Sequence, residues 1–278
     1  MKKSQKVSLT LLAVFALVVI GFLVMQPKEP SYQGRRLTEW MADLKKGRVS
    51  SNTQAEEAIR QMKTAALPFL EAGLSRSLNP MPRSPFSERY QNLMQKTYLR
   101  DRAVEQERWE RSFLALEILG SDAVPVLERL MDNSETSIEA AEILGKLDAI
   151  EILEKGVDRA RDFGSRLGAV NGLGHVSQRK DQAGPLLLAL THDPDPRIVG
   201  AAARGLATLA YKPEESVPRL RELLQSKDRS IRWGMVYALR NFGPAAASAI
   251  PDLQKMDTAG NADLANERDK TVRAITPK

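Results

Sequence analysis

The sequence predicts an all-helical solenoid, an array of about six helical hairpins stacked side by side. Three observations predict it. A ten-residue pattern of small and large apolar residues recurs in the windows 54–63, 111–120, 136–145, 165–174, 198–207 and 231–240. The later windows are spaced at a nearly fixed period. A second apolar segment follows each window, and proline marks five of the six.

The pattern is that of a packed helix. The fifth position reads Ala58, Ala115, Ala140, Ala169, Ala202 and Met235, and the ninth reads Met62, Leu119, Leu144, Leu173, Leu206 and Leu239. The sixth is Ile59, Leu116, Ala141, Val170, Ala203 and Val236. These positions share one helix face. A small residue at five admits a neighbouring backbone, and a large one at nine fills the groove between helices. The repeat core is therefore assigned to Ala58, Ala115, Leu119, Ala140, Leu144, Ala169, Leu173, Ala202, Leu206 and Leu239. From Leu119 to Leu239 the ninth positions advance in nearly even steps, the last two of them equal. A steady period of roughly 30 residues marks a solenoid. The second segments contain Pro68, Pro125, Pro185, Pro218 and Pro251. Proline suits a first helical turn, where its missing N–H has no partner to lose. Second helices are thus expected to begin near Leu67, Pro125, Pro185, Pro218 and Pro251.

In chain order, residues 1–6 carry Lys2, Lys3 and Lys6 and no acid. Residues 7–25 are uncharged and mostly apolar. At ~1.5 Å per residue the run reaches about 28 Å, close to the ~30 Å of a bilayer core. A cleaved signal has a shorter apolar stretch of ~7–15 residues ending in a small-x-small site. The run is read as an uncleaved transmembrane helix in the cytoplasmic (inner) membrane. The preceding lysines put the N-terminus in the cytoplasm and the repeats outside it. Cleavage would make the protein secreted.

Residues 26–36 are read as a linker and 37–47 as a cap helix, with Leu37, Trp40, Met41 and Leu44 on one face. A solenoid needs such a cap to end its apolar face. Residues 51–256 hold the repeats. Thr53 with Glu56 and Thr136 with Glu139 have the capping-box spacing. Met62 and Leu119, the ninth positions of the first two windows, stand two repeat lengths apart, so the array is interrupted by an irregular insertion at 74–110. Its later part has a stripe of Phe86, Tyr90, Leu93, Met94 and Tyr98. Two alternatives stay open there, a degenerate repeat and an inserted helix. The segment is mildly basic, and Arg83, Arg89 and Lys96 are the candidate partner surface. Residues 257–278 are read as a short C-terminal cap helix and tail.

Helix pairs with an Ala/Leu first helix, a Pro-bearing second helix and Asp-rich joins resemble HEAT repeats. Asp228-Arg229-Ser230-Ile231-Arg232 is similar to the start of a repeat in that family. In Asp193-Pro194-Asp195-Pro196-Arg197 the arginine falls two residues early. The resemblance covers about 53–256 and implies a right-handed solenoid whose second helices line a concave binding surface. The element Tyr32-x-Gly34-x-x-Leu37-x-x-Trp40 also resembles what precedes the repeats of many exported bacterial HEAT-repeat proteins.

Composition narrows the function. The chain has no cysteine, which removes disulfides, thiolate metal sites and lipidated cysteine. Of the net charge of +6, three units belong to the lysines before residue 7. The remainder interleaves both signs and lacks the clustered basic face that nucleic acid requires. No phosphate loop, Gly-x-Ser-x-Gly or His-Glu-x-x-His occurs. His175 and His192 fall in turns on opposite edges of the stack, on the order of 15 Å apart, too far to share a metal. Some HEAT-like enzymes hold metal through His-Glu pairs, and neither histidine has that neighbour. Trp109 and Trp233 are read as core aromatics rather than a ligand box.

The expectation is a non-catalytic scaffold that binds an unidentified protein, with no cofactor, metal, nucleic acid or small-molecule substrate. The alternative is an accessory enzyme or lyase that uses a loop carboxylate such as Asp193 or Asp195. Bilin-chromophore lyases have similar repeats, but they act on soluble antenna proteins, which an exported, anchored array does not suit.

Overall fold

The computed structural model describes residues 27–44, 53–75, 88–159, 162–258 and 260–277, with side chains described for all of these except 88–102 and 159. The apolar run 7–25 lies outside the described residues. Among the described residues no helix is long and apolar enough to cross a membrane.

The described chain opens on a small hairpin, β1 (Ser31–Tyr32) and β2 (Arg35–Arg36), with Tyr32 opposite Arg35. Gln33 and Gly34 turn it with φ of 50° and 76°. Two successive positive φ values make the tight turn that matches strand twist, and glycine takes the second at no steric cost. Residues 31–36 are therefore a built element and not the linker the sequence implied. Helix α1 (Leu37–Ala42) follows directly. The Trp40 Nε1 donates to the Tyr32 carbonyl at 3.2 Å, and the Arg35 guanidinium lies 4.0 Å over the Trp40 ring. The Glu29 carboxylate accepts from the Thr38 amide at 2.7 Å, closing the helix N-terminus. Leu37, Trp40 and Met41 are buried. This accounts for the Tyr-x-Gly-x-x-Leu-x-x-Trp spacing: hairpin and helix together seal the first repeat.

Among the described residues six hairpins follow. Their first helices are α2 (Gln54–Met62), the end of α4 (Glu88–Leu119), α6 (Ser137–Lys146), α8 (Phe163–Leu173), α10 (Pro196–Leu209) and α12 (Arg229–Phe242). The second helices are α3 (Leu67–Leu74), α5 (Val124–Met131), α7 (Ile150–Arg159), α9 (Lys180–Leu190), α11 (Pro213–Leu223) and α13 (Ile250–Lys255). Helix α14 (Ala262–Ile275) ends the array. All ten assigned core residues are at most 8% exposed.

Several elements differ from the sequence reading. Helix α4 is one continuous helix of 32 residues, so its 88–110 portion extends a repeat helix rather than lying apart as an insertion. At ~1.5 Å per residue it is about 48 Å long. Pro68, Pro125 and Pro251 stand at the second residue of their helices, but Pro185 and Pro218 are interior. Helices α9 and α11 thus start more than a turn earlier than expected, at Lys180 and Pro213. The carbonyls left unbonded belong to Asp181 and Glu214, residues open to water, which keeps the cost of an interior proline low. Thr53 caps α2 by accepting from the Glu56 amide at 3.3 Å. Thr136 makes no cap bond. Its buried hydroxyl donates to the Leu130 carbonyl at 2.6 Å, satisfying the end of α5 instead.

The sequence reading missed the caps of the last four first-layer helices. Asp162, Asp195, Asp228 and Asn261 each accept a backbone N–H of the helix they precede, at 2.7 to 3.0 Å. The step from each of these caps to the next is the same. Helix α14 is thus a seventh first-layer helix in register, not a short polar cap. It buries Leu264, Glu267, Thr271 and Ile275 against α12. Four residues after Asp162 and Asp228 stand Arg166 and Arg232. Arg166 Nε donates to the Val157 carbonyl at 3.2 Å, and Arg232 Nη1 to the Ser226 and Lys227 carbonyls at 2.6 and 3.1 Å. Arg166 thus caps the C-terminal turn of α7, and Arg232 ties down the join that follows α11.

The two layers cohere differently. First helices meet backbone to backbone. A Cβ on Gly168 would stand 2.8 Å from the Ser137 carbonyl, and one on Gly172 or Gly145 would press into the facing backbone. Second helices are joined by side chains. Arg129 pairs with Glu71 at 2.6 Å, Arg179 with Glu151, Arg221 with Asp252, and Arg219 donates to the Thr191 hydroxyl and carbonyl at 3.0 Å.

These contacts fix the expected response to substitution. Leu206→Ala should cost ~2–5 kcal/mol in a denaturant titration. Ala202→Asp should be at least as damaging, because it buries a charge where backbones meet. Arg204→Ala should stay within about 0.5 kcal/mol. Gly172→Ala should destabilise by ~1–3 kcal/mol through overpacking. Gly200→Ala, where the added methyl meets open space, should gain up to about 1 kcal/mol.

Candidate protein-binding cleft

The last third of α4 and the length of α6 do not close fully against each other. They leave an open cleft of about 400 Å³, bounded at one end by Leu44 just after α1. Its apolar lining is Trp109, Phe113, Leu114, Ile143 and Leu44. Trp109 and Phe113 stack edge to face with centroids 4.7 Å apart. The polar lining is Gln106, Glu110, Arg111, Glu117, Glu139, Glu142 and Lys146. Among the described residues four acids thus face two bases. Lys146 Nζ lies 3.1 Å from Glu117 and 3.4 Å from Glu142. Arg111 turns to Glu107 at 2.9 Å. Burial pushes the half-buried Glu139 carboxyl above its usual range. Its own backbone N–H opposes the shift, and the Glu142 charge adds to it.

A second opening, of about 290 Å³, adjoins the first at Arg111 and is lined by Thr38, Met41, Val104, Glu107 and Arg108. Val104 is 62% exposed, unusual for an apolar residue in mid-helix.

The cleft lies between first helices, not along the second-helix surface that the HEAT resemblance implied. Of the nominated partner surface, Arg83 lies outside the described residues, and Arg89 and Lys96 are in α4 with side chains outside the description. Trp109 packs against the core while also lining the cleft. Trp233 is also half-buried, with its ring centroid 5.9 Å from that of Tyr237. The sequence did carry one signal of the cleft. Glu117 and Glu142 both stand at the seventh position of consecutive windows, a position next filled by Asn171, Arg204 and Tyr237.

The groups nominated for chemistry are engaged elsewhere. His175 is exposed, and His192 Nδ1 lies 3.1 Å from Arg219. Asp193 pairs with Arg166 and accepts from the Asp195 amide at 2.9 Å. Burial raises its pKa, but the Arg166 guanidinium and that amide outweigh it and hold the carboxyl below its usual range. Asp195 caps α10 and pairs with Arg197 at 2.7 Å, and those hydrogen bonds bring its pKa down to about 2. Asp148, at φ 55°, accepts from the Ser177, Gln178 and Arg179 amides at the start of α9. Among the described residues no group of histidine and carboxylate side chains is placed to hold a metal.

Residues 183–274 match the family of HEAT repeats. That stretch runs from α9 to α14 and includes the helix that the sequence reading had taken for a cap. No curated protein matches the chain. Solved structures similar to it include the complex of CpcE and CpcF of phycocyanin lyase from Nostoc sp. PCC7120. There the identity is 22%, covering 63% of this chain and 99% of that one, with a TM-score of 0.44. A designed armadillo repeat protein in complex with a (KR)4 peptide is 15% identical over 76% of this chain and 99% of its own, with a TM-score of 0.43. An engineered protein is 18% identical over 86% of this chain and 96% of its own, with a TM-score of 0.41. Residues 183–274 are thus similar to HEAT repeats, and the described residues form a stacked array of helical hairpins.

Acid should test the carboxylate assignments. Asp193 and Asp195 have folded pKa values below the ordinary 3.8. Their contribution is complete above that value and is lost as pH falls through the lowered one. The wild-type melting temperature should therefore drop steeply between pH ~4 and ~2, and the drop should be shallower in Asp193→Asn and Asp195→Asn.

Proposed function

We propose that this protein is a non-catalytic scaffold, anchored by residues 7–25 in the cytoplasmic membrane, that binds a partner protein on the extracytoplasmic side. The observation that carries the binding role is the open cleft at α4 and α6, whose aromatic floor and acidic rim have the makeup of a protein-docking site. The anchor rests on the sequence: lysines before the uncharged run 7–25 and a polar, proline-bearing stretch after it. The carboxylates that an accessory-enzyme reading would use, Asp193 and Asp195, are held in ion pairs with Arg166 and Arg197. Arg83 before the cleft helix, and Arg89 and Lys96 in its first part, extend the proposed partner surface.

Two experiments test this. A reporter active only outside the cytoplasm, fused after Lys278, should be active, and the protein should stay in membranes washed with carbonate. Release of a shortened soluble form would replace the anchor by a cleaved signal. Crosslinking capture from intact cells should yield a partner, and capture should fall in the variant Arg83→Glu, Arg89→Glu, Lys96→Glu with thermal unfolding nearly unchanged. Unchanged capture would remove that segment from the interface.

A further inference from the structure

The lining of the α4–α6 cleft is out of electrical balance in a particular way. Lys146 is already shared between Glu117 and Glu142, and Arg111 is turned to Glu107, which lines the neighbouring opening. Glu139 is half-buried beside Glu142, a like charge, so the site disfavours its own ionised state. An arriving cation would relieve this repulsion, whereas an anion would deepen it. The apolar part of the wall is aromatic, and a cation beside an aromatic ring gains most where water is excluded.

We propose that this cleft docks an extended segment of the partner protein bearing lysine or arginine. The cationic head would meet Glu139 and Glu142, and apolar neighbours would rest on Trp109, Phe113 and Ile143. The proposal rests on the protein-binding reading above and adds the chemistry of the partner. Shape favours a chain over a small cation. The two openings meet at Arg111 and together border α4 from Val104 to Glu117. That is about 20 Å of helix, the reach of roughly six extended residues.

The test uses the full chain in mild detergent and two fluorescein-labelled hexapeptides, one alternating leucine with lysine and one alternating leucine with glutamate. Fluorescence anisotropy should report binding of the lysine peptide, weakening as salt is raised, and none of the glutamate peptide. In Glu139→Gln, Glu142→Gln the lysine peptide should bind about tenfold more weakly or worse, with the melting temperature unchanged. Equal binding of both peptides, or equal affinity in the double variant, overturns the proposal. So does binding that appears only after Lys45, Lys46 and Arg48 are replaced by glutamine, which would make this chain's own basic stretch the occupant. Crosslinking capture separates the two levels. Capture that persists in the double variant removes the cleft but leaves the scaffold, and no capture from wild type removes the scaffold itself.

Discussion

Backbone contact between successive first helices is the constraint on which the rest of the structure depends. Along α6 and α8 the contact residues are Ser137, Ala141 and Gly145 against Gly168 and Gly172. Along α8 and α10 they are Gly174 and Gly205, and along α10 and α12 they are Gly200 and Gly234. A side chain of even one carbon at the tightest of these places would push the helices apart. Once the helices stand this close, Leu144, Leu173, Leu206 and Leu239 have one direction left to fill, toward the second layer, and all four are fully buried. Hydrophobic burial supplies the driving force. The small residues decide the geometry in which it is realised.

Periodicity was legible because it reports burial. The windows could be aligned from alanine and leucine alone, and the buried residues fall where that alignment puts them. Boundaries were less legible, because they depend on how single polar groups are satisfied. Thr136 has the spacing of a capping box, yet its hydroxyl is spent on the Leu130 carbonyl. Pro185 looks like a helix start, yet the carbonyl it orphans is at the solvent side, so the helix runs through it. The interruption at 74–110 reads as irregular because no repeat window aligns there, although the helix that carries the window at 111 already begins at Glu88. The caps Asp162, Asp195 and Asp228 stand three residues upstream of the last three windows, and Asn261 follows at the same step. They would have revealed α14 as a full member of the array.

The cleft was hidden by averaging. The segment 74–111 carries eight bases and five acids. Within α4 the charge is sorted: residues 88–102 hold two acids and four bases, and 103–119 hold four acids and two bases. A composition summed over the segment reports a mild positive bias and loses the acidic end. Only the pairing of that end with Glu139 and Glu142 from another helix produces the cleft, and pairing is a property of the fold. Arg89 and Lys96 and the acidic cleft therefore belong to opposite ends of one helix.

The unequal cohesion of the two layers gives the array a mechanical direction. From α6 to α12 the first layer is a spine of closely approaching backbones, packed as densely as a protein core. The second layer is tied by solvent-facing guanidinium bridges such as Arg129–Glu71 and Arg221–Asp252, each worth ~0–1 kcal/mol and weakened by salt. Flexing that spreads the second helices is cheap, and flexing that compresses the first is not. The protein is a leaf spring with its stiff face along the first helices. Bending that spreads the second helices should therefore become easier as ionic strength rises.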